Sequence, residues 1–390
     1  MPLSLKIISD GEKAFSRERW GEAERLFTKA LKSNRDLFLR AEILYRRAES
    51  RRSQSKFILA LADYWASHQY YRKLNIPSER LRTVLGASQC LRILSRYPDA
   101  RRLWVSVAKQ SFYNAPDPSP ADVRLERALV ARGEGHWADA RSYLAEAKKL
   151  INEKDLSSRQ HLYWVEGGVE RFSGHPREAR VAFQKATALA REMGDGRALA
   201  YALCGWAGVD RVLGYEKGSF ENYQKAYAEF QKDKDLFGQA YGLCGQANAL
   251  RTFGDASLSL SLYRRSAGLY NRLGDASSEG FAWWGLGGSF RRLGQWTKSR
   301  NAYVQATALF KKSKDDRGLV MALLGEARLA DDLKKVSLSK AKRTTARSLA
   351  RSKKLPYEMA LCDHESGVSS SPLASFGISS DVLSRWKDIP

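Results

Sequence analysis

The sequence predicts an all-α fold of about nine stacked helical hairpins, and three observations carry that expectation. The segments LCGWAGVDRVLG, LCGQANALRTFG, WWGLGGSFRRLG and LLGEARLADDLK begin at Leu203, Leu243, Trp283 and Leu323, a spacing of 40 residues. A fixed period of this order marks an architecture of stacked repeats. Glycines recur in two columns, Gly205, Gly245, Gly285, Gly325 and Gly174, Gly214, Gly254, Gly294. A small residue (Ala179, Ser219, Ser259, Ser299, Ser339) is followed four positions on by Phe183, Tyr223, Tyr263 or Tyr303. Three further on stands Ala186, Ala226, Ser266 or Ala306. That i, i+4, i+7 spacing sets all three on one helical face.

Each small residue opens the second helix of a hairpin, and the Gly five before it ends the first helix in the left-handed conformation. Turns such as Gly194-Asp195 and Gly274-Asp275 join one hairpin to the next. The same marker falls at Ala23, near Ala60, and at Ala100 and Ala140, so the array spans nearly the whole chain. Residues 1–113 read as degenerate N-terminal hairpins, 114–355 as the regular 40-residue array, and 356–390 as a capping helix and Ser-rich tail. Residues 112–120, FYNAPDPSP, hold three prolines and predict a bend, because no helix interior tolerates them. A short helix from Tyr357 to about Glu365 is expected to cover the open end of the array. Residues 366–380 read as irregular. Ser380 or Asp381 is expected to cap a last short helix presenting Leu383 and Trp386.

The turn Gly, the small residue five on, the aromatic and the following Ala together resemble the tetratricopeptide repeat. The 40-residue period is similar to the subclass found in LGN/Pins-type scaffolds and in some bacterial regulators. The resemblance spans residues 121–350 and thins over 1–113. The usual closing proline is missing from most repeats, and Asp331 and Lys334 replace the Arg and Gly of the last one. The fold expected is a right-handed superhelical solenoid of about nine helix-turn-helix repeats with a capping helix and tail. The resemblance also implies that the column near the end of each first helix faces a concave groove where ligands bind.

That column is arginine. Eight residues before successive markers stand Arg52, Arg92, Arg132, Arg171, Arg211, Arg251 and Arg291. A cation near a helix C-terminus gains about 0.3–1 kcal/mol from the dipole, but Lys would serve as well and does not occur there. Pairing within the helix does not explain the column, since only Glu49 is acidic three before and nothing is acidic four before. Two explanations stay open: carboxylates from neighbouring repeats, and a ligand. At about 10 Å between packed helices, two such charges repel by roughly 0.4 kcal/mol in water, so a ladder is tolerable. Arg forms the bidentate bond to carboxylate that Lys does not. Gly168, Gly208, Asn248 and Gly288, three before the Arg, mostly leave space, and Asn248 is able to bind a peptide backbone in both directions. Trp164, Trp284, Tyr201, Tyr241 and Phe281 are candidate groove walls, or else core. Reversing the charge of Arg211 and Arg251 together is expected to abolish partner capture with helicity intact.

The formal charge of +23 favours an anionic partner. Nine Lys or Arg and no acid between Lys334 and Lys354 read as a solvated helix face or an anionic surface contact. Cys90, Cys204, Cys244 and Cys362 form no C-x-x-C pair and are expected to be reduced thiols in a cytoplasmic protein. No stretch is apolar enough for a signal peptide or a membrane span. The five histidines lack metal spacing, and no phosphate loop or nucleophile elbow occurs, so neither cofactor nor metal is expected and no enzyme. The function expected is a non-enzymatic adaptor whose Arg-lined groove binds an acidic segment of a partner protein. The alternative is a nucleic-acid-associated or transcription-type regulator using the basic surface, which no nucleic-acid-reading motif supports. A third reading has the 366–390 tail returning to the groove as an inhibitor.

Overall fold

Among the described residues, nine helical hairpins follow one another in chain order. The structure is a computed structural model that describes residues 3–107, 118–367, 372–376 and 378–385. The helices are α1 (Leu3–Ser16), α2 (Trp20–Ser33), α3 (Leu37–Ser53), α4 (Phe57–Lys73), α5 (Pro77–Ile93), α6 (Tyr97–Val107), α7 (Pro120–Glu134) and α8 (Trp137–Leu150). They continue as α9 (Leu156–Phe172), α10 (Pro176–Glu192), α11 (Gly196–Val212), α12 (Glu216–Lys232), α13 (Leu236–Phe253), α14 (Ala256–Leu273), α15 (Ala276–Arg292), α16 (Trp296–Ser313), α17 (Asp316–Asp332) and α18 (Val336–Ser352). After them come α19 (Pro356–Glu365), a 3-10 turn (Pro372–Phe376) and α20 (Ser380–Arg385). There are no strands among the described residues, and no helix there is long and apolar enough to cross a membrane. The chain divides into two compact units, residues 1–151 and 152–390. Residues 112–117, most of the segment read as a bend, lie outside the described residues. Its last proline, Pro120, opens α7 behind a Ser119 cap.

Within the second unit each helix packs on the next, and first helices also touch one another: α9 on α11, α11 on α13, α13 on α15, α15 on α17. First helices therefore share one side of the stack, here termed the inner side. The small markers are fully packed: Ala179, Ser219, Ser259 and Ser299 have no exposed surface. The glycines at 205, 245, 285 and 325 make room for the aromatic of the preceding second helix. A methyl at these positions would overlap the rings of Phe183, Tyr223, Tyr263 and Tyr303 respectively. Gly245→Ala is accordingly expected to cost about 1–3 kcal/mol through overpacking, read as a lowered urea midpoint.

The turn column carries a conformation rather than a residue type. Gly174, Gly214 and Gly294 have φ of 97°, 79° and 69°, and Ser55, Ser95 and Lys334 adopt φ of 59°, 58° and 57° at the same place in other repeats. Gly254 departs from the expectation. Its φ is −109°, because α13 runs on to Phe253 before ending.

A second 40-residue column is acidic. Asp155, Asp195, Asp235, Asp275 and Asp315 precede α9, α11, α13, α15 and α17, and each accepts the N–H three residues on. These are N-caps. Burial pushes the Asp275 carboxyl up to about 6, and the charge of Asp315 adds to this, against the bond from Ser278. The folded protein thus holds this proton more tightly than the unfolded chain. Its penalty on stability is absent below pH 3.8 and complete above about pH 6. Asp275→Asn keeps a capping oxygen, so it is expected to raise the urea midpoint at pH 8 and to leave it unchanged near pH 3.5.

The capping helix is present as α19. Val382 N–H donates to Ser379 Oγ at 3.4 Å, so Ser379 caps α20, not Ser380 or Asp381. Leu383 packs against the cluster that includes Leu361, Leu373 and Ile378, whereas Trp386 lies outside the described residues. All four cysteines are buried and free. Burial pushes Cys90 and Cys362 up to about 12 and Cys244 to about 11.

Candidate functional site

Each arginine of the column stands in the last turn of a first helix, from Arg52 on α3 to Arg291 on α15. Every one therefore gains from the dipole. Beyond that shared position, the rungs have different surroundings.

In the first unit, Arg52 donates to Glu49 at 2.6 Å and to the Tyr64 hydroxyl at 3.2 Å. Arg92 reaches both oxygens of Glu126 at 3.2 Å. Glu126 is only 3% exposed and also accepts from Ser88, which in turn accepts from the Trp104 indole. Arg132 is half-buried in the last turn of α7. In the second unit, the last rung, Arg291, donates to Asp332 at 2.8 Å. Carboxylates of a neighbouring first helix thus satisfy Arg92 and Arg291. The Asp331 that interrupts the column pairs with Arg343 on α18 at 2.5 Å.

The middle rungs differ. Arg171 lies across α11 where a Cβ on Gly208 would overlap its guanidinium, so the glycine makes room for the preceding rung. Among the described residues no carboxylate pairs with it. Arg211 is 7% exposed, and its Nε and Nη1 are buried with no hydrogen-bond partner. Burial pushes its guanidinium down from the ordinary arginine value. The charges of Arg171 and Arg251 add to this, while Tyr223 and Tyr263 oppose it. Arg251 is fully buried, donates to Tyr263 at 2.9 Å and to Asn248 at 3.5 Å, and lies 4.5 Å from the centroid of Trp284. Three cations in successive hairpins therefore influence one another, and the central one has no acid beside it. A buried guanidinium without a counter-ion is costly, and polar groups left unsatisfied in a folded interior call for an explanation.

The other sequence candidates are mostly engaged inside the protein. Asn248 accepts from Tyr263 at 2.7 Å, which uses the oxygen assigned to a peptide backbone. Trp284 is 6% exposed and donates to the Met321 carbonyl. Trp164 donates to the Tyr201 carbonyl, and Tyr201 gives its hydroxyl to Asp235. Tyr201 and Phe281 pack edge-on against Phe230 and Phe310 of their own hairpins, and Tyr241 packs beside Tyr223. Arg251 is so buried that reversing its charge would disrupt the core, so the double reversal does not separate binding from folding.

The Lys334–Lys354 run is partly tied down. Arg343 pairs with Asp331 and Glu365, Arg347 with Asp363, Lys342 with Glu326, and Lys353 with Asp316. Shallow surface depressions on α18 and beside Arg264, Arg265 and Arg272 do not include the column. Sequence reasoning missed Phe172, whose ring lies beside both Arg171 and Arg317, Tyr357, which feels the charges of Arg171 and Arg211, and Phe376, which packs on Tyr357. They lie outside the repeated columns, so periodicity gives no sign of them. Among the described residues no group of three or more His, Cys, Asp or Glu is placed to hold a metal.

No protein-family model matches the chain, and no curated protein sequence matches it. Solved structures do. A Rap protein complexed with competence and sporulation factor superposes with a TM-score of 0.60 at 14% identity, over 79% of this chain and 87% of that one. NprR in complex with its cognate peptide NprX gives 0.56 at 10% identity, over 79% and 87%. A STAND protein with a tetratricopeptide repeat sensor from Pyrococcus horikoshii gives 0.52 at 15%, over 87% of this chain and 51% of that one. With its nine hairpins, its 40-residue columns and these likenesses, the chain has the fold of a tetratricopeptide-type helical-repeat protein.

Proposed function

We propose that this protein is an adaptor that holds an acidic segment of a partner protein against the inner side of its second unit, at Arg171 and Arg211, with Arg251 buried behind them. The observation that carries the reading is Arg211, a buried cation with no carboxylate of its own between two further cations. A ligand carboxylate arriving there meets preorganised donors in a medium of low dielectric, where a charge-assisted bond is strong. Two of the proteins that share the fold were solved with a factor or a cognate peptide bound, which supports a peptide-like ligand. Arg52, Arg92 and Arg291 already have acids and belong to the scaffold in this reading. The nucleic-acid alternative loses ground where Arg343, Arg347, Lys342 and Lys353 are paired.

The test is fluorescence anisotropy with a labelled peptide of alternating Glu and Ala. Arg211→Met is expected to weaken binding by at least tenfold, and Arg211→Lys to restore only part of it, because an ammonium lacks the fork. Equal affinity of all three proteins would refute the assignment.

A further inference from the structure

We propose that residues 372–376 and 378–385 form a strap across the inner side of the second unit, and that a partner's acidic segment must displace it to reach Arg171 and Arg211. The inference rests on the site assigned above and names its regulation.

The strap returns to the beginning of the unit. A Cβ on Gly174 would stand 2.9 Å from Cδ1 of Phe376 and 3.5 Å from the carbonyl oxygen of Ser375. Gly174 lies three residues beyond Arg171, in the turn between α9 and α10. On the other side Phe376 meets Tyr357 of α19 edge-on, with centroids 5.5 Å apart and planes at 84°. Tyr357 stands in the field of the middle rungs. Burial pushes its hydroxyl up, with Glu358 adding to this, while the charges of Arg211, Arg171 and Arg317 oppose it. Arg317 is fixed by Glu358 at 2.8 Å and lies 5.2 Å from the centroid of Phe172, next to Arg171. Leu373, Ile378 and Val382 are buried in a cluster that Val212, the neighbour of Arg211, also joins. The strap's anchors thus flank Arg171 on one side and reach the neighbour of Arg211 on the other.

The strap is also built of short elements. It consists of a five-residue 3-10 turn and a six-residue helix, with Ala374, Ser375, Ser379, Ser380, Asp381 and Ser384 exposed. So short a helix has little stability of its own and depends on the three buried anchors, Leu373, Ile378 and Val382. The hairpins beneath it are held on both sides. A strap in place nine-tenths of the time would lower the apparent affinity of the site about tenfold.

The experiment measures anisotropy of the labelled Glu-Ala peptide with the full chain, with Phe376→Ala and with the gentler Phe376→Leu, each with and without Arg211→Met. Circular dichroism confirms that helicity is kept. The proposal expects Phe376→Ala to bind about tenfold tighter, Phe376→Leu to fall between, and Arg211→Met to weaken binding at least tenfold in every background. Unchanged or weaker binding by both Phe376 variants, with Arg211 still required, would overturn the strap and leave the acidic site standing. Tighter binding that ignores Arg211, or no binding by any variant, would overturn both.

Discussion

Replacing Arg92 with methionine is expected to cost the protein about 3–5 kcal/mol, because it leaves Glu126 buried and alone. The carboxylate is 3% exposed and depends on two bonds from Arg92 and one from Ser88. Urea unfolding followed by helicity should show the loss in the transition that reports residues 1–151. Arg92→Met with Glu126→Leu should recover much of it, since replacing both members of a buried pair by packed apolar groups is often neutral. The variant therefore separates a paired rung from a merely cationic one.

The same substitution at Arg211 is expected to act in the opposite direction. Methionine retains much of the packing volume and removes a buried charge that lacks a carboxylate and lies between two other cations. Stability should rise by about 1–3 kcal/mol, the order of magnitude for relieving an uncompensated polar group. Function should be lost at the same time. A residue whose removal stabilises the fold while abolishing binding is one held in place for its ligand. The two variants occupy the same column at the same helical position, so propensity, dipole and side-chain entropy largely cancel in the comparison.

Much of the scaffold is legible in the sequence because repeats impose one geometry many times. Gly245 and Tyr223 face each other for the same steric reason as Gly205 and Phe183, and a spacing of 40 exposes the pairing. The capping aspartates at 155, 195, 235, 275 and 315 obey the same period and were there to be read. Gly254 shows the limit, since a helix one residue longer changes the turn without changing the residue.

The division of the arginine column is harder to see. Its counter-ions come from the next first helix, and the offset differs: Glu126 is 34 residues beyond Arg92, and Asp332 is 41 beyond Arg291. A signal existed nonetheless. At those two offsets from Arg171 stand Gly205 and Val212, and from Arg211 stand Gly245 and Thr252, none of them acidic. The strap was not legible beyond a bare expectation of a returning tail, as a contact between Gly174 and Phe376 obeys no period. The aromatic candidates have partners that no period announces. Tyr201 and Phe281 meet the second helix of their own hairpin, Trp164 and Trp284 bond to the first helix of the next, and Tyr241 packs on the hairpin before it, so each ring is engaged by the scaffold.

The most direct measurement is calorimetry of wild type and Arg211→Met, each with and without the Glu-Ala peptide. The account predicts that the variant melts higher than wild type when free, and that added peptide raises the melting temperature of wild type alone. A free variant that melts lower, as Arg92→Met should, together with an undiminished response to peptide, would make Arg211 one more structural rung and contradict the central claim.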